Sequence, residues 1–180
     1  MKINLGCGKR NFGDGWIHID GSDYEHISSH DIVNLPFEDN TVDLLYASHV
    51  FEYFDRDEVV DVLKKWKRVL KPNGVLRLAV PDFEACARLY VNKNVPLEKY
   101  VGMFYGKWQM TPKDTIYHKT IYDYDSLKKV LEDNGFSNIQ KWDWRKVDHG
   151  HIDDYSQAYI PHMDKDNGTL VSLNVEAFKN

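Results

Sequence analysis

Lys2-Ile3-Asn4-Leu5-Gly6-Cys7-Gly8 is the stretch that decides the fold. A strand-length apolar run passes at once into two glycines. Glycine lets the backbone turn sharply and come close to a ligand, and the open amides of such a turn can meet a negative group. After Gly13-Asp14-Gly15 a second strand follows, Trp16-Ile17-His18-Ile19-Asp20. The join between the two strands is too short for the usual first helix.

Working outward, Thr41 to Ala47 is a mostly apolar run behind the turn Glu38-Asp39-Asn40, which suits a buried parallel strand. A helix opens at Asp55, where Glu58 three residues later makes a capping-box-like start. Val59, Leu63, Trp66 and Leu70 then recur at helical spacing. Lys71-Pro72-Asn73-Gly74 is expected to stop that helix before a strand over Val75–Val80. Residues 83–120 predict a helix from Phe83 to Val91 and then a stretch broken by Pro96, Gly102, Gly106 and Pro112. A helix capped by Asp125 runs to Asn134-Gly135. A strand over Asn138–Trp144, a polar loop and a last strand over Leu170–Phe178 close the chain. Strands alternating with helices mean a parallel α/β sheet covered on both faces; the closing strand pair reads as an antiparallel hairpin.

Composition bounds the function. At 180 residues the chain fits one domain, with 42% hydrophobic and 28% charged residues. A net charge of -5 argues against an enzyme that grips nucleic acid by bulk charge. Cys7 and Cys86 are too few for a disulfide framework or a zinc site, so reduced thiols and a cytoplasmic home are expected. No apolar run is long enough to span a membrane, and the start lacks a signal-peptide core, so the chain is expected to begin directly in structure.

The motifs point one way only together. Gly6-Cys7-Gly8 lacks the third glycine of a dinucleotide fingerprint, since Asn11 stands there, and Asp20 follows too soon. This disfavours a nicotinamide enzyme. A carboxylate at the end of the second strand, Asp20, can instead accept both hydroxyls of a ribose. Asp31-Ile32 before the fourth strand can meet an adenine edge. Ser48-His49-Val50-Phe51-Glu52 leaves that strand where open sheets bind ligands.

In this order, with Gly15–Asp20, Asp31–Phe37, Phe37–Asp43 and Leu70–Gly74, the first 82 residues resemble the class I S-adenosylmethionine-dependent methyltransferases. The later pieces Tyr105–Gln109, Tyr117-His118-Lys119, Leu131–Phe136 and Ser172–Ala177 resemble small methyltransferases of the type 11 kind, often associated with surface-polysaccharide or sugar metabolism. The resemblance implies a Rossmann-like, seven-stranded, mostly parallel sheet with an antiparallel C-terminal strand and a first helix shortened or missing. It implies one domain: residues 2–82 for the cofactor, 83–124 as acceptor or lid segment, and 125–180 as closing helix and hairpin. S-adenosylmethionine is the implied cofactor. Gly6 and Gly8 pass its methionine part with Cys7 contributing backbone, Asp20 holds the ribose, Asp31 and Ile32 read the adenine, and Ser48 and His49 line the pocket near the sulfonium. Lys9, Arg10 and Asn11 stand where the missing helix leaves the amino-acid end uncovered. Asp20 and Asp31 are expected to face one pocket that opens near His49.

The implied activity is methyl transfer to a small-molecule or sugar-type acceptor. The alternative is a non-catalytic S-adenosylmethionine-binding or partner module. For a hydroxyl acceptor, His49 and His118 are the natural bases, and Tyr105, Trp108 and Tyr117 are candidates for the acceptor wall. Asp148-His149-Gly150-His151-Ile152-Asp153-Asp154 matches no defined metal spacing, so no metal is expected. Lys64-Lys65-Trp66-Lys67-Arg68 reads as a solvated helix face, leaving no nucleic-acid or membrane partner. Residues 100–124 read as a lid or a dimer surface, so a homodimer stays open.

Overall fold

The computed structural model describes residues 1–111 and 113–180. Lys2–Leu5 (β1), Trp16–Ile19 (β2), Ile27–Ser29 (β3) and Val42–Ser48 (β4) come first. Helix Val59–Val69 (α1), the long strand Leu70–Pro81 (β5) and helix Phe83–Lys93 (α2) follow. Then come helix Val101–Tyr105 (α3), the hairpin Trp108–Thr111 (β6) and Asp114–Ile116 (β7), and helix Tyr124–Asp133 (α4). Phe136–Lys141 (β8), the short pair Tyr159–Ile160 (β9) and Thr169–Leu170 (β10), and Ser172–Lys179 (β11) complete the chain. The main sheet has seven strands in the order β3-β2-β1-β4-β5-β11-β8, parallel except where β11 runs against β5 and β8. This is the expected Rossmann-like sheet with its antiparallel closing strand, and residues 6–15 hold no helix.

Burial explains the order. β1 and β4 are central, and Ile3, Leu5, Leu45, Tyr46 and Ala47 are fully buried. The two faces are filled differently. On one, α1 and α4 lay Val62, Leu63, Trp66, Val69, Leu127 and Leu131 onto a continuous apolar core. Burying one such side chain is worth roughly 1.5–3 kcal/mol, so this face anchors the domain. The Trp66 indole also donates to the Ile32 carbonyl at 2.8 Å. On the other face, Tyr46, Ala79 and Trp142 meet Phe12, and the cover is the segment 142–160 with two short 3-10 turns, Trp144–Lys146 and Tyr155–Gln157.

Helix α2 runs two residues past Val91 and the last strand shifts to Ser172–Lys179; four further boundaries differ from the sequence reading, each for a local reason. Asp55 and Glu58 do exchange reciprocal amide–carboxylate bonds at 2.9 and 3.0 Å, but the helix proper starts at Val59. Lys71-Pro72-Asn73-Gly74 does not precede a strand: it lies inside β5, where Asn73 takes a φ of 62° and the pairing with β4 slips. Asparagine tolerates that left-handed backbone, so the strand kinks rather than ends. α4 is capped by Asp123, which forms a capping box with Ser126, while Asp125 sits in the first turn. β8 starts at Phe136 and stops at Lys141; Trp142 then bonds the Leu78 carbonyl, drawing the chain off the edge. β3 is a short strand that no periodicity marks. Pro112 lies outside the described residues.

Candidate functional site

The carboxyl ends of β1 and β2 meet through backbone geometry. Gly6 and Gly8 both have positive φ, 61° and 55°. A side chain on Gly6 would lie 2.2 Å from Val50 Cγ2, whereas one on Gly8 would meet only Arg10, at 4.0 Å. Gly6 therefore closes the core and Gly8 faces open space. Asp20, 7% exposed, accepts from the Gly8 amide and the Ser22 amide, each at 2.7 Å and each on a different oxygen. A carboxylate oxygen has room for a second hydrogen bond, so both keep capacity for a diol. An open approach at Gly8 beside a half-satisfied buried carboxylate fits the adenosine end of S-adenosylmethionine. Met110, from the β6–β7 hairpin, reaches Gly21 next door and roofs this corner. Cys7 is buried against His26, and burial pushes its thiol up to about 12, so it contributes backbone and no thiolate chemistry.

Asp31 is held by its own neighbours in sequence. It is exposed and accepts from the Val33 and Asn34 amides and the Asn34 side chain, which together hold its carboxyl below the usual range. β3 ends early, and the chain turns the Asp31 carboxylate to the amides of its own following residues. The Ile32 carbonyl is taken by Trp66. Ser48 Oγ is buried and unpartnered, two residues from Tyr46 and thus on the same side of β4.

Of the expected residues, His49, His118, Arg10 and Trp108 line a large cavity. It measures about 1090 Å³, and Tyr53 and Tyr155 also line it. Tyr105 and Tyr117 point instead to solvent, 65% and 46% exposed. His49 leaves β4 with a φ of 53°, a backbone that costs a non-glycine residue roughly 1–3 kcal/mol and clusters at functional sites. Its amide donates to the Ala79 carbonyl at 2.7 Å, which holds the turn.

Behind the two histidines lies Glu52, fully buried. Its Oε1 is 3.4 Å from His49 Nδ1 and 3.5 Å from His118 Nε2, and neither carboxyl oxygen has a hydrogen-bond partner. The other ring nitrogens are spoken for. His118 Nδ1 lies 2.8 Å from the Met103 carbonyl, so it carries the hydrogen. Ser172 Oγ donates to Asn174 Oδ1, so it accepts from His49 Nε2 at 3.2 Å. Both imidazoles thus turn a bare nitrogen to Glu52, which suits a carboxyl that keeps its proton. Burial pushes Glu52 up to about 8. Burial, then His118 and Arg10, lowers His49 to about 3, and burial lowers His118 too. At neutral pH the cluster is a carboxylic acid between two neutral rings. Sequence reading quoted Glu52 within a motif but gave it no role; its position three residues after His49 was the available signal.

The His/Asp run of 148–154 disperses. Asp148 pairs with Lys2, Asp153 with Lys165 at 3.3 Å, and His149 stacks on Phe12 at 4.6 Å. Asp154 accepts from the Tyr46 hydroxyl at 2.6 Å and the Ser156 amide at 2.8 Å. Among the described residues, no group of three side chains has metal-ligand geometry.

Comparison with known proteins agrees with the sheet. The family model "Methyltransferase domain" matches residues 16–78, from β2 into β5. The chain is 31% identical over 121 residues to demethylmenaquinone methyltransferase of Staphylococcus saprophyticus, covering 61% of this chain and 48% of that protein. It is 32% identical over 119 residues to an uncharacterized methyltransferase of Schizosaccharomyces pombe, covering 59% and 45%. The chain spans about half the length of these curated relatives. A solved S-adenosylmethionine-dependent methyltransferase of Archaeoglobus fulgidus matches with a TM-score of 0.56 at 14% identity, over 99% of this chain and 85% of that one. The chain has the fold of the class I S-adenosylmethionine-dependent methyltransferases, and its residues 16–78 match the methyltransferase domain model; S-adenosylmethionine is the cofactor that this match indicates. Among the described residues no helix is long and apolar enough to cross a membrane.

Proposed function

We propose that this chain transfers a methyl group from S-adenosylmethionine to a small molecule, a sugar-type acceptor included, held in the cavity behind His49. The carrying observation is continuity. His49 ends β4 at the cofactor edge and lines the cavity, and Arg10 lines it too while its guanidinium approaches Gly8.

When bound, S-adenosylmethionine supplies a methyl group already activated on a sulfonium, so the chain's work is mainly orientation. Asp20 takes the ribose hydroxyls, Gly6 and Gly8 bring the backbone close with Cys7 between them, Asp31 and Ile32 read the adenine, and Ser48 lines the pocket near the sulfonium. Fixing two reactants in line can be worth about 7–11 kcal/mol, more than a base supplies. Where the acceptor is a hydroxyl, His49 and His118 are the bases we assign, and one ring must turn its bare nitrogen from Glu52 to the acceptor before it can take the proton. The match to methyltransferases of small molecules supports this reading, and the resemblance to sugar-associated methyltransferases supports the acceptor class. A cytoplasmic home goes with it, since Cys7 and Cys86 are buried free thiols. So does self-association through the exposed Tyr90, Val91, Leu97 and Tyr105, which sedimentation checks.

Titration calorimetry with S-adenosylhomocysteine and, separately, NADH tests the reading. It expects binding of the first and none of the second. Preference for NADH overturns it, and cofactor binding without turnover on a broad acceptor panel points to the non-catalytic module.

A further inference from the structure

We infer that the acceptor the cavity takes is an anion with an apolar or aromatic body; this rests on the methyltransferase reading above. The chain as a whole is acidic, at -5, yet Arg10, Lys93, Lys99 and Lys107 all line this cavity. Of its two carboxylates, Asp153 pairs with Lys165 and Asp154 is turned to the Tyr46 hydroxyl and the Ser156 amide, so the four cations outnumber the one carboxylate without a cationic partner. Among the described residues, none of the four cations has a carboxylate within ion-pair distance. Elsewhere lysines do find acids, as Lys65 does with Asp61, Lys71 with Asp43, Lys119 with Glu58 and Lys129 with Asp133.

The cations also sit at two levels. Lys93, Lys99 and Lys107 are exposed at the rim. Arg10 is half-buried, its Nε donating to the Asp153 main-chain oxygen and its guanidinium 4.7 Å from the Tyr155 ring centre. Much of the wall between them is apolar, from Leu89, Val95, Pro96, Met103, Trp108 and Val171. A concave surface carrying unmatched positive charge focuses its field on what enters, and an anionic group such as a phosphate, sulfate or carboxylate forms charge-assisted bonds with it. The apolar wall asks for a body that gains from leaving water. A neutral acceptor would satisfy the wall and leave the cations unmatched.

Calorimetry with phenyl phosphate, phenol and phenyltrimethylammonium tests this without any cofactor. Phenyl phosphate is expected to bind at least about tenfold more tightly than either other probe, and added salt should weaken it alone. The exposed pair Lys99→Gln/Lys107→Gln should lose about tenfold for phenyl phosphate while phenol is unchanged and the circular dichroism spectrum is kept. The proposal fails if phenyl phosphate does not bind, if phenol binds as well, or if the double variant leaves phenyl phosphate unaffected. Failure of S-adenosylhomocysteine to bind in a separate titration would instead sink the methyltransferase reading and leave these data standing.

Discussion

The proposed cofactor edge and the proposed acceptor cavity are built by opposite means. At the edge, neighbouring strands deliver Gly6, Gly8 and Asp20 through backbone geometry: two positive-φ glycines and a carboxylate whose partners are amides. The cavity draws side chains from four separate segments, around Arg10, His49, residues 89–118 and residues 153–171. The first region is local in sequence. The second exists only once the chain has folded, and its chemistry rests on a buried cluster with unsatisfied atoms. A scaffold of this kind can hold one cofactor geometry while the cavity changes with the segments that wall it.

The largest effect should separate the two glycines. Gly6→Ala places a methyl against Val50 in a left-handed backbone, and overpacking plus φ strain should cost about 3 kcal/mol in urea unfolding. Gly8→Ala carries only the φ strain, about 1 kcal/mol, but puts its methyl where a ligand approaches, so it should lower S-adenosylhomocysteine affinity in a folded protein. Equal stability losses would contradict the different tasks assigned to them.

Next in size is a pH effect confined to the cavity side. Glu52 keeps its proton up to about pH 8, against an ordinary value of 4.5, so its stabilising effect is full below 4.5 and is lost as pH rises through 8. His49 and His118 are lowered from 6.5, so their contribution is complete above that value. Between pH 6.5 and 8 the Glu52 loss stands alone. Wild-type stability should fall there by about 2 kcal/mol, at 1.36 kcal/mol per unit, and Glu52→Gln should be flat. A flat wild-type curve over that window rules out the protonated cluster.

Smaller still, Asp20→Ala should weaken S-adenosylhomocysteine at least about tenfold, or about 1.4 kcal/mol, while leaving phenyl phosphate binding unchanged. Loss of both together would show that edge and cavity are not separable. Tyr53→Phe removes a 2.6 Å bond to the Gly106 carbonyl at the cavity wall and should cost about 1 kcal/mol of stability, read by thermal melting, with cofactor affinity intact.

The sheet was legible because its signals are local. The Lys2–Gly8 and Trp16–Asp20 runs, the helical spacing of Val59, Leu63 and Trp66, and the motif order all lie within short windows, and the structure places them as read. Boundaries slipped where a tolerant residue hid the outcome, as at Asn73 in β5 and at the choice between Asp123 and Asp125. The cavity was less legible. Glu52 looks like any glutamate after a strand until His118 is folded against it, and Tyr155 falls just past the polar loop Asp148–Asp154, where no element was read. Asp31 was marked by its motif, but its bonds to Asn34, three residues on, follow only from the turn the chain makes there.

The most direct test of the account is a crystal structure with S-adenosylhomocysteine bound. The account predicts both ribose hydroxyls within about 3.2 Å of the Asp20 carboxylate, backbone at Gly8 against the ligand, and the sulfur facing the cavity beside His49. Adenosine density inside the cavity itself, or at any site that leaves Asp20 bonded only to Gly8 and Ser22, would contradict it.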